Sequence, residues 1–189
     1  TAPTRVMKSN SFKFTMWWSD AKNKRIADLS DFARTFLARR SLFNIIAKYC
    51  VLDTNDVLLI MRPYQIVATE RIVTKVLAGI HNPKLLGTVN AGGYIWHTTG
   101  SGKTLTSFKT AQLVAQYPEV SKVIFVVDRQ DLDYQTMKEY DKFAKGAANG
   151  NNSARVLRGQ LLDDECQIIV TTIQKLNHLT GDKEVLDVY

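Results

Sequence analysis

The stretch His97-Thr98-Thr99-Gly100-Ser101-Gly102-Lys103-Thr104 decides how the rest of the chain is read. Before it stands the apolar triplet Tyr94-Ile95-Trp96, which predicts a short strand. After it, Leu105, Phe108, Leu113 and Val114 recur at helical spacing up to Pro118. A turn carrying two glycines, with Lys and a hydroxyl residue opening the following helix, is the setting a phosphate-binding loop requires. Gly100 and Gly102 leave room for backbone N–H groups to close around phosphate oxygens, and the helix start adds a partial positive charge. Lys103 is placed to reach the β- and γ-phosphates of a nucleotide, and the Thr104 hydroxyl to ligate Mg²⁺. His97 stands where the strict pattern has glycine, a position where a side chain fits if it points away from the nucleotide.

Downstream, Val123-Ile124-Phe125-Val126-Val127 reads as a buried strand and Leu132 to Phe143 as a helix. Gly146 to Ser153 (GAANGNNS) reads as a loop, Gln167 to Val170 as a third strand, and Ile173 to Leu179 as a short helix. Strands alternating with helices predict a parallel sheet with helical crossovers, so the chain is of α/β class from about residue 92 onward. Upstream, Pro63 opens a helix through Ile66, Ile72, Val73, Val76 and Leu77 that closes at Gly79, His81, Asn82 and Pro83. Ser30 is the expected N-cap of a helical hairpin over roughly 25–50, built on Phe32, Phe36, Leu37, Leu42, Ile45 and Ile46. Phe12-Lys13-Phe14-Thr15 alternates like a half-buried strand, which we favour over a basic aromatic strip for nucleic acid.

With 189 residues, 45% of them hydrophobic, the chain suits one domain with a real core and a small appendage. A charged share of 23% argues against wholesale disorder. The net charge of +7 fits a polyanionic partner, nucleic acid above all, or a solvated basic surface. Cys50 and Cys166 have no metal or redox spacing and fit a reducing cytoplasm. The longest clean apolar run, Val57-Leu58-Leu59-Ile60-Met61, is far too short to span a bilayer. The opening TAPTRVMKSN has no signal-peptide apolar region, and both ends look like cuts within a longer protein.

A nucleotide motor also needs an acid that holds Mg²⁺ through water. Asp163-Asp164-Glu165 precedes an apolar strand, whereas a helicase Asp-Glu box follows one, so these residues read as a solvated turn. Asp128 does follow a strand, but Arg129 stands where that box has Glu. Two alternatives stay open: a self-contained phosphotransferase using Asp128, or an acid that lies beyond Tyr189.

Four segments in order carry a family resemblance: Arg62-Pro63-Tyr64-Gln65, HTTGSGKT, FVVDRQDL (residues 125–132) and VTTIQKL (residues 170–176). Together they resemble the motor subunit of type I restriction endonucleases, in helicase superfamily 2. The resemblance implies an incomplete RecA-like sheet over 62–189, the first part of a motor lobe, preceded over 1–61 by a connecting segment of a strand and a helical hairpin. It implies ATP and Mg²⁺ as cofactors, with Lys103 and Thr104 in the chemistry and Thr104 on the metal. Gln65, with Arg62, would hold adenine, since a primary amide can pair with its N6 and N7 edge. His97, Thr98, Thr99, Gly100, Ser101, Gly102, Lys103 and Thr104 would cradle the phosphates. Arg129, Thr171, Thr172 and Lys175 would lie along the DNA track, and Asp128 would cap the helix after its strand. The implied partners are double-stranded DNA and the methyltransferase and specificity subunits, with no membrane, in a bacterial or archaeal cytoplasm. On this reading the chain alone binds ATP weakly, turns over none, and exposes apolar surface where later strands are missing.

Overall fold

The computed structural model describes residues 15–127, 138–143, 153–179 and 181–182. The helical hairpin forms as expected from α1 (Leu29–Phe36) and α2 (Arg39–Lys48). Its cap is Asp28 and not Ser30: Asp28 has extended backbone and accepts from the Asp31 N–H at 2.9 Å, which places Ser30 inside the first turn. Ahead of the hairpin, Ser19 and Arg25 form a β-bridge around a tight turn. The expected strand at Phe12-Lys13-Phe14 lies outside the described residues, and Thr15 is in no strand.

A small antiparallel ladder follows, β1 (Cys50–Leu52) on β2 (Leu58–Ile60). Then comes α3 (Pro63–His81), opened by its proline and capped at Asn82 as the sequence predicts. A 3₁₀ turn over Pro83–Leu85 leads into a long irregular stretch and the loop. After the loop come α4 (Lys103–Val114), β3 (Val123–Val127), a helix α5 described over 138–143, α6 (Ala154–Leu162), β4 (Ile168–Thr172) and α7 (Ile173–Asn177).

Strands β3 and β4 pair in parallel, with Phe125 opposite Val170 at the centre. All five residues of β4 are buried, the pattern of a parallel strand covered on both faces. Alternation along β4 sends Ile168 and Val170 into a cluster with Phe108 and Ala111 of α4 and Tyr140 of α5. Ile169 points the other way, against Leu157 and Leu161 of α6 and Leu179. The helix–sheet–helix layering expected of an α/β protein is therefore present around these two strands. A third cluster joins the hairpin to the loop helix pair: Ile45, Tyr49, Met61 and Ile66, with Leu105 and Leu113 packed against it.

One expected strand is absent. Tyr94-Ile95-Trp96 pairs with no segment among the described residues, and Tyr94 and Trp96 are 89% and 87% exposed. An apolar triplet becomes a strand only where a neighbouring edge accepts its backbone hydrogen bonds, and here the described sheet holds β3 and β4 alone. No helix among the described residues is long and apolar enough to cross a membrane.

Candidate nucleotide site

The loop turns on two glycines. Gly100 has φ 76° and Gly102 φ 77°, left-handed values that cost an L side chain about 1–2 kcal/mol. A Cβ on Gly100 would meet open space, whereas one on Gly102 would lie 2.4 Å from Gln65 Nε2. A side chain at Gly102 would therefore displace the Gln65 amide as well as strain the backbone. It passes directly into the first turn of α4, whose N–H groups face the loop.

Within the loop, the Thr98 carbonyl gathers three donors: Ser101 N–H at 3.3 Å, Ser101 Oγ at 2.7 Å and Lys103 Nζ at 3.1 Å. Lys103 is therefore folded back over the turn, with its ammonium at the loop's concave side. Thr104 is half-buried in the first turn, and its carbonyl accepts from Ser107 Oγ at 3.0 Å. His97 sets its ring edge-on to Tyr64 with centroids 5.6 Å apart, and both residues line the groove beside the loop.

The start of α3 braces the other side. Tyr64 OH donates to the Ser101 carbonyl at 2.9 Å. Gln65 is 4% exposed, and its Nε2 donates to the carbonyls of Ser101 at 3.0 Å and Gly102 at 3.3 Å. Its Oε1 accepts from Arg62 N–H at 2.7 Å. Both ends of the amide expected to read adenine are engaged inside the protein. In this arrangement the Gln65 amide ties the start of α3 to the loop. Helices α3 and α4 are joined further along by a hydrogen bond between the buried hydroxyls of Thr69 and Thr110, 3.0 Å apart.

The loop opens onto a groove of about 1520 Å³ running along α3, with Lys22, Arg62, Arg71 and Lys75 among its lining residues. Four cations against the lone Asp20 carboxylate suit a polyanion. A separate, smaller hollow of about 310 Å³ shares Asn23, Arg62 and Tyr64 with it as lining residues. Beneath the loop helix, Tyr140 OH donates to Ser107 Oγ at 2.9 Å, and burial pushes the phenol up to about 12. Burial also raises the Tyr49 phenol, aided by its 2.9 Å hydrogen bond to Glu70. On the far side of α4, burial lowers the Lys109 ammonium and raises the Cys50 thiol.

Of the residues expected on a DNA track, Thr171, Thr172 and Lys175 lie within the described residues. Thr171 and Thr172 are both 0% exposed, so their side chains cannot face a duplex in this arrangement. Thr172 instead caps α7, its Oγ1 accepting from Lys175 N–H at 3.3 Å. Lys175 itself is half-buried. Asp128 and Arg129 lie outside the described residues. Asp163 to Glu165 do form the expected solvated turn, closed by Glu165 N–H on Asp163 Oδ1 at 3.1 Å. No cluster of three acidic, His or Cys side chains suited to a metal occurs among the described residues. Sequence reasoning missed Tyr64 as a loop brace, although it stands inside the quoted Arg62 to Gln65 motif.

Comparison with known proteins follows the same residues. The family model of the SWI2/SNF2 ATPase matches residues 64–188. The C-terminal part of a type I restriction enzyme endonuclease subunit of Mycoplasma pneumoniae is 47% identical over 173 residues, covering 90% of this chain and 84% of that protein. The type I restriction enzyme endonuclease subunit of Staphylococcus saprophyticus is 42% identical over 186 residues, 97% of this chain but 18% of that protein. A counterpart from Escherichia coli is 42% identical over 96 residues, 51% of this chain and 31% of its own length.

Proposed function

We propose, for a chain that belongs to the SWI2/SNF2 ATPase family and to the type I restriction enzyme endonuclease subunits, a role as the ATP-binding part of a DNA motor. In this reading residues 62–189 are the first part of a RecA-like motor lobe, and residues 1–61 are a connecting segment upstream of it. The whole polypeptide couples ATP hydrolysis to movement along double-stranded DNA before cleavage, working with methyltransferase and specificity subunits. The observation that carries this reading is the loop itself: two left-handed glycines and Lys103 at the N-terminus of α4, opening onto a groove lined by cations.

Each residue of the loop has a task in this scheme. Backbone N–H groups from Thr99 to Thr104 hold phosphate oxygens at the positive end of α4. Lys103 exchanges the Thr98 carbonyl for the β- and γ-phosphates and neutralises their charge. Gln65 and Tyr64 keep the carbonyls of Ser101 and Gly102 turned away from the anion. Mg²⁺, when bound, supplies further neutralisation of the phosphates, and the Thr104 hydroxyl is the group that fits it. Lys175 and Arg129 remain the candidates for the DNA backbone.

The test uses the full-length polypeptide that carries this chain. Its ATPase is expected to rise on addition of duplex DNA and to vanish in Lys103→Ala. An ATPase indifferent to duplex DNA contradicts the motor reading.

A further inference from the structure

We propose that Cys50 of β1 and Lys109 of α4 form an acyl-transfer pair: the thiol takes an acyl group from a small acyl thioester and passes it to the lysine amine. Lys109 is then a modification site on the helix that opens at the loop. The nucleotide reading uses neither residue, so the two stand or fall separately.

Helical spacing puts Leu105, Lys109 and Leu113 on one face of α4. Leu105 and Leu113 pack against the cluster of Ile45, Tyr49, Met61 and Ile66, and Cys50 packs against that same cluster from the start of β1. Alternation along β1 sends the next residue, Val51, into the other cluster, with Phe108 and Ala111 of α4. Strand β1 thus meets α4 along the turns that carry Lys109. Burial raises the Cys50 thiol and lowers the Lys109 ammonium, and the charge of each partly offsets the shift of the other, as it does for near neighbours. Lys109 forms no ion pair among the described residues, and its Nζ has one long hydrogen bond, to Gln112 Oε1 at 3.4 Å. Cys50 is in no disulfide. Both side chains are half-buried, which leaves a small acyl donor access to the thiol.

A desolvated lysine presents more free amine than a solvated one, and that amine can serve first as base and then as nucleophile. In the first step Cys50 Sγ attacks the thioester carbonyl while Lys109 Nζ takes the thiol proton. The donor's thiolate leaves and accepts that proton, which restores the free amine. In the second step Lys109 Nζ attacks the carbonyl now carried by Cys50. The C–N bond forms, the C–S bond breaks, and the Cys50 thiolate takes the proton lost by nitrogen. The sum is thioester plus amine giving amide plus thiol, with no oxidant or reductant. The product lysine has lost its charge.

Incubation of the chain with the acetyl thioester of N-acetylcysteamine, followed by peptide mass mapping, tests this. Lys109 is expected to be acetylated about tenfold or more faster than the exposed Lys48 and Lys84, since the pair replaces an encounter in solution. Cys50→Ala should bring Lys109 down to the rate of those two, and Lys109→Arg should leave a hydroxylamine-labile acetyl group on Cys50. Cys50→Ser, close to the native residue in size, should lose the preference as well, which keeps the test readable if Cys50→Ala unfolds. Wild type in denaturant should show no preference, because only the fold joins the two residues. Lys109 acetylated no faster than Lys48 and Lys84 in the folded wild type overturns the pair. So does a rate at Lys109 that is unchanged by both Cys50 substitutions, or a preference that survives unfolding.

Discussion

The loop has two flanks, and they are built very differently. On the helix flank, α4 lies against α3, Phe108 is fully buried between α4 and the sheet, and Gln65 and Tyr64 hold the loop carbonyls. On the strand flank, residues 86–97 run without regular structure, and Val89, Tyr94 and Trp96 are almost wholly exposed. The loop nevertheless has its glycines in the left-handed conformation that phosphate binding needs. Its shape is therefore set from α3 and α4. Among the described residues no paired strand leads into it, and the flank touches the loop's surroundings only through His97 on Tyr64. Local sterics and the hydrogen bonds of Tyr64, Gln65, Ser101 and Lys103 to the loop carbonyls form the cradle.

The largest expected effect breaks the helix flank outright. Phe108→Ala removes a fully buried ring packed on Tyr140 and Phe143 and should cost about 3–5 kcal/mol, read from denaturant unfolding. A loss below 1 kcal/mol would show that this flank is not what holds the sheet and loop helix together. Next comes Gln65→Ala, which strips donors from two carbonyls and widens the space beside Gly102. It should destabilise by about 1–3 kcal/mol and weaken phosphate binding with it. If Gln65→Ala keeps full affinity for tripolyphosphate, the loop does not depend on its brace.

Alkaline pH separates the flanks without mutation. The folded Tyr140 phenol lies near 12 against an ordinary 10.0, so the neutral form is the one the fold favours. That contribution is complete below pH 10 and is lost as pH rises through 12. Tyr49, raised in the same direction by burial and by Glu70, adds to it. Denaturant midpoints should fall between pH 10 and 12, and Tyr140→Phe should flatten part of that fall. The smallest effect belongs to the strand flank: Trp96→Ser should change stability by no more than about 0.5 kcal/mol, because the ring is 87% exposed. A loss of several kcal/mol there would mean that this segment is packed in solution.

These flanks also mark where sequence reading succeeded. The helix at Pro63, the loop helix and the strand at Val123–Val127 follow from proline position, helical spacing and a β-branched run, although the burial expected for that strand is met only at Val127, with Ile124 and Val126 exposed. Tyr94-Ile95-Trp96 carries the same apolar signal as β3, but pairing is a property of a partner, which no local pattern reports. The β1–β2 ladder escaped notice because each strand has three residues, too few for alternation. Its turn could have been read from Asp53, whose Oδ1 accepts from Asn55 N–H and Val57 N–H at 2.8 Å each. Helix α6 was hidden by Gly159 in its middle, although Ser153 gives it a cap of the expected kind. In the site, the glycines, Lys103 and Thr104 were legible from spacing. Gln65 was legible as a buried amide of the site, but its partners were not, because its motif says that an amide is needed and not which groups it meets. Thr171 and Thr172 look like surface residues by type and are buried by the layering of the sheet.

Equilibrium titration of the chain with Mg·ATP, wild type beside Lys103→Ala, tests the central claim most directly. The account predicts measurable binding that falls by roughly tenfold or more when the ammonium is removed, as expected for a charge-assisted contact to phosphate. Equal affinity of the two proteins would contradict it, since the nucleotide would then sit somewhere other than the Thr98–Thr104 loop.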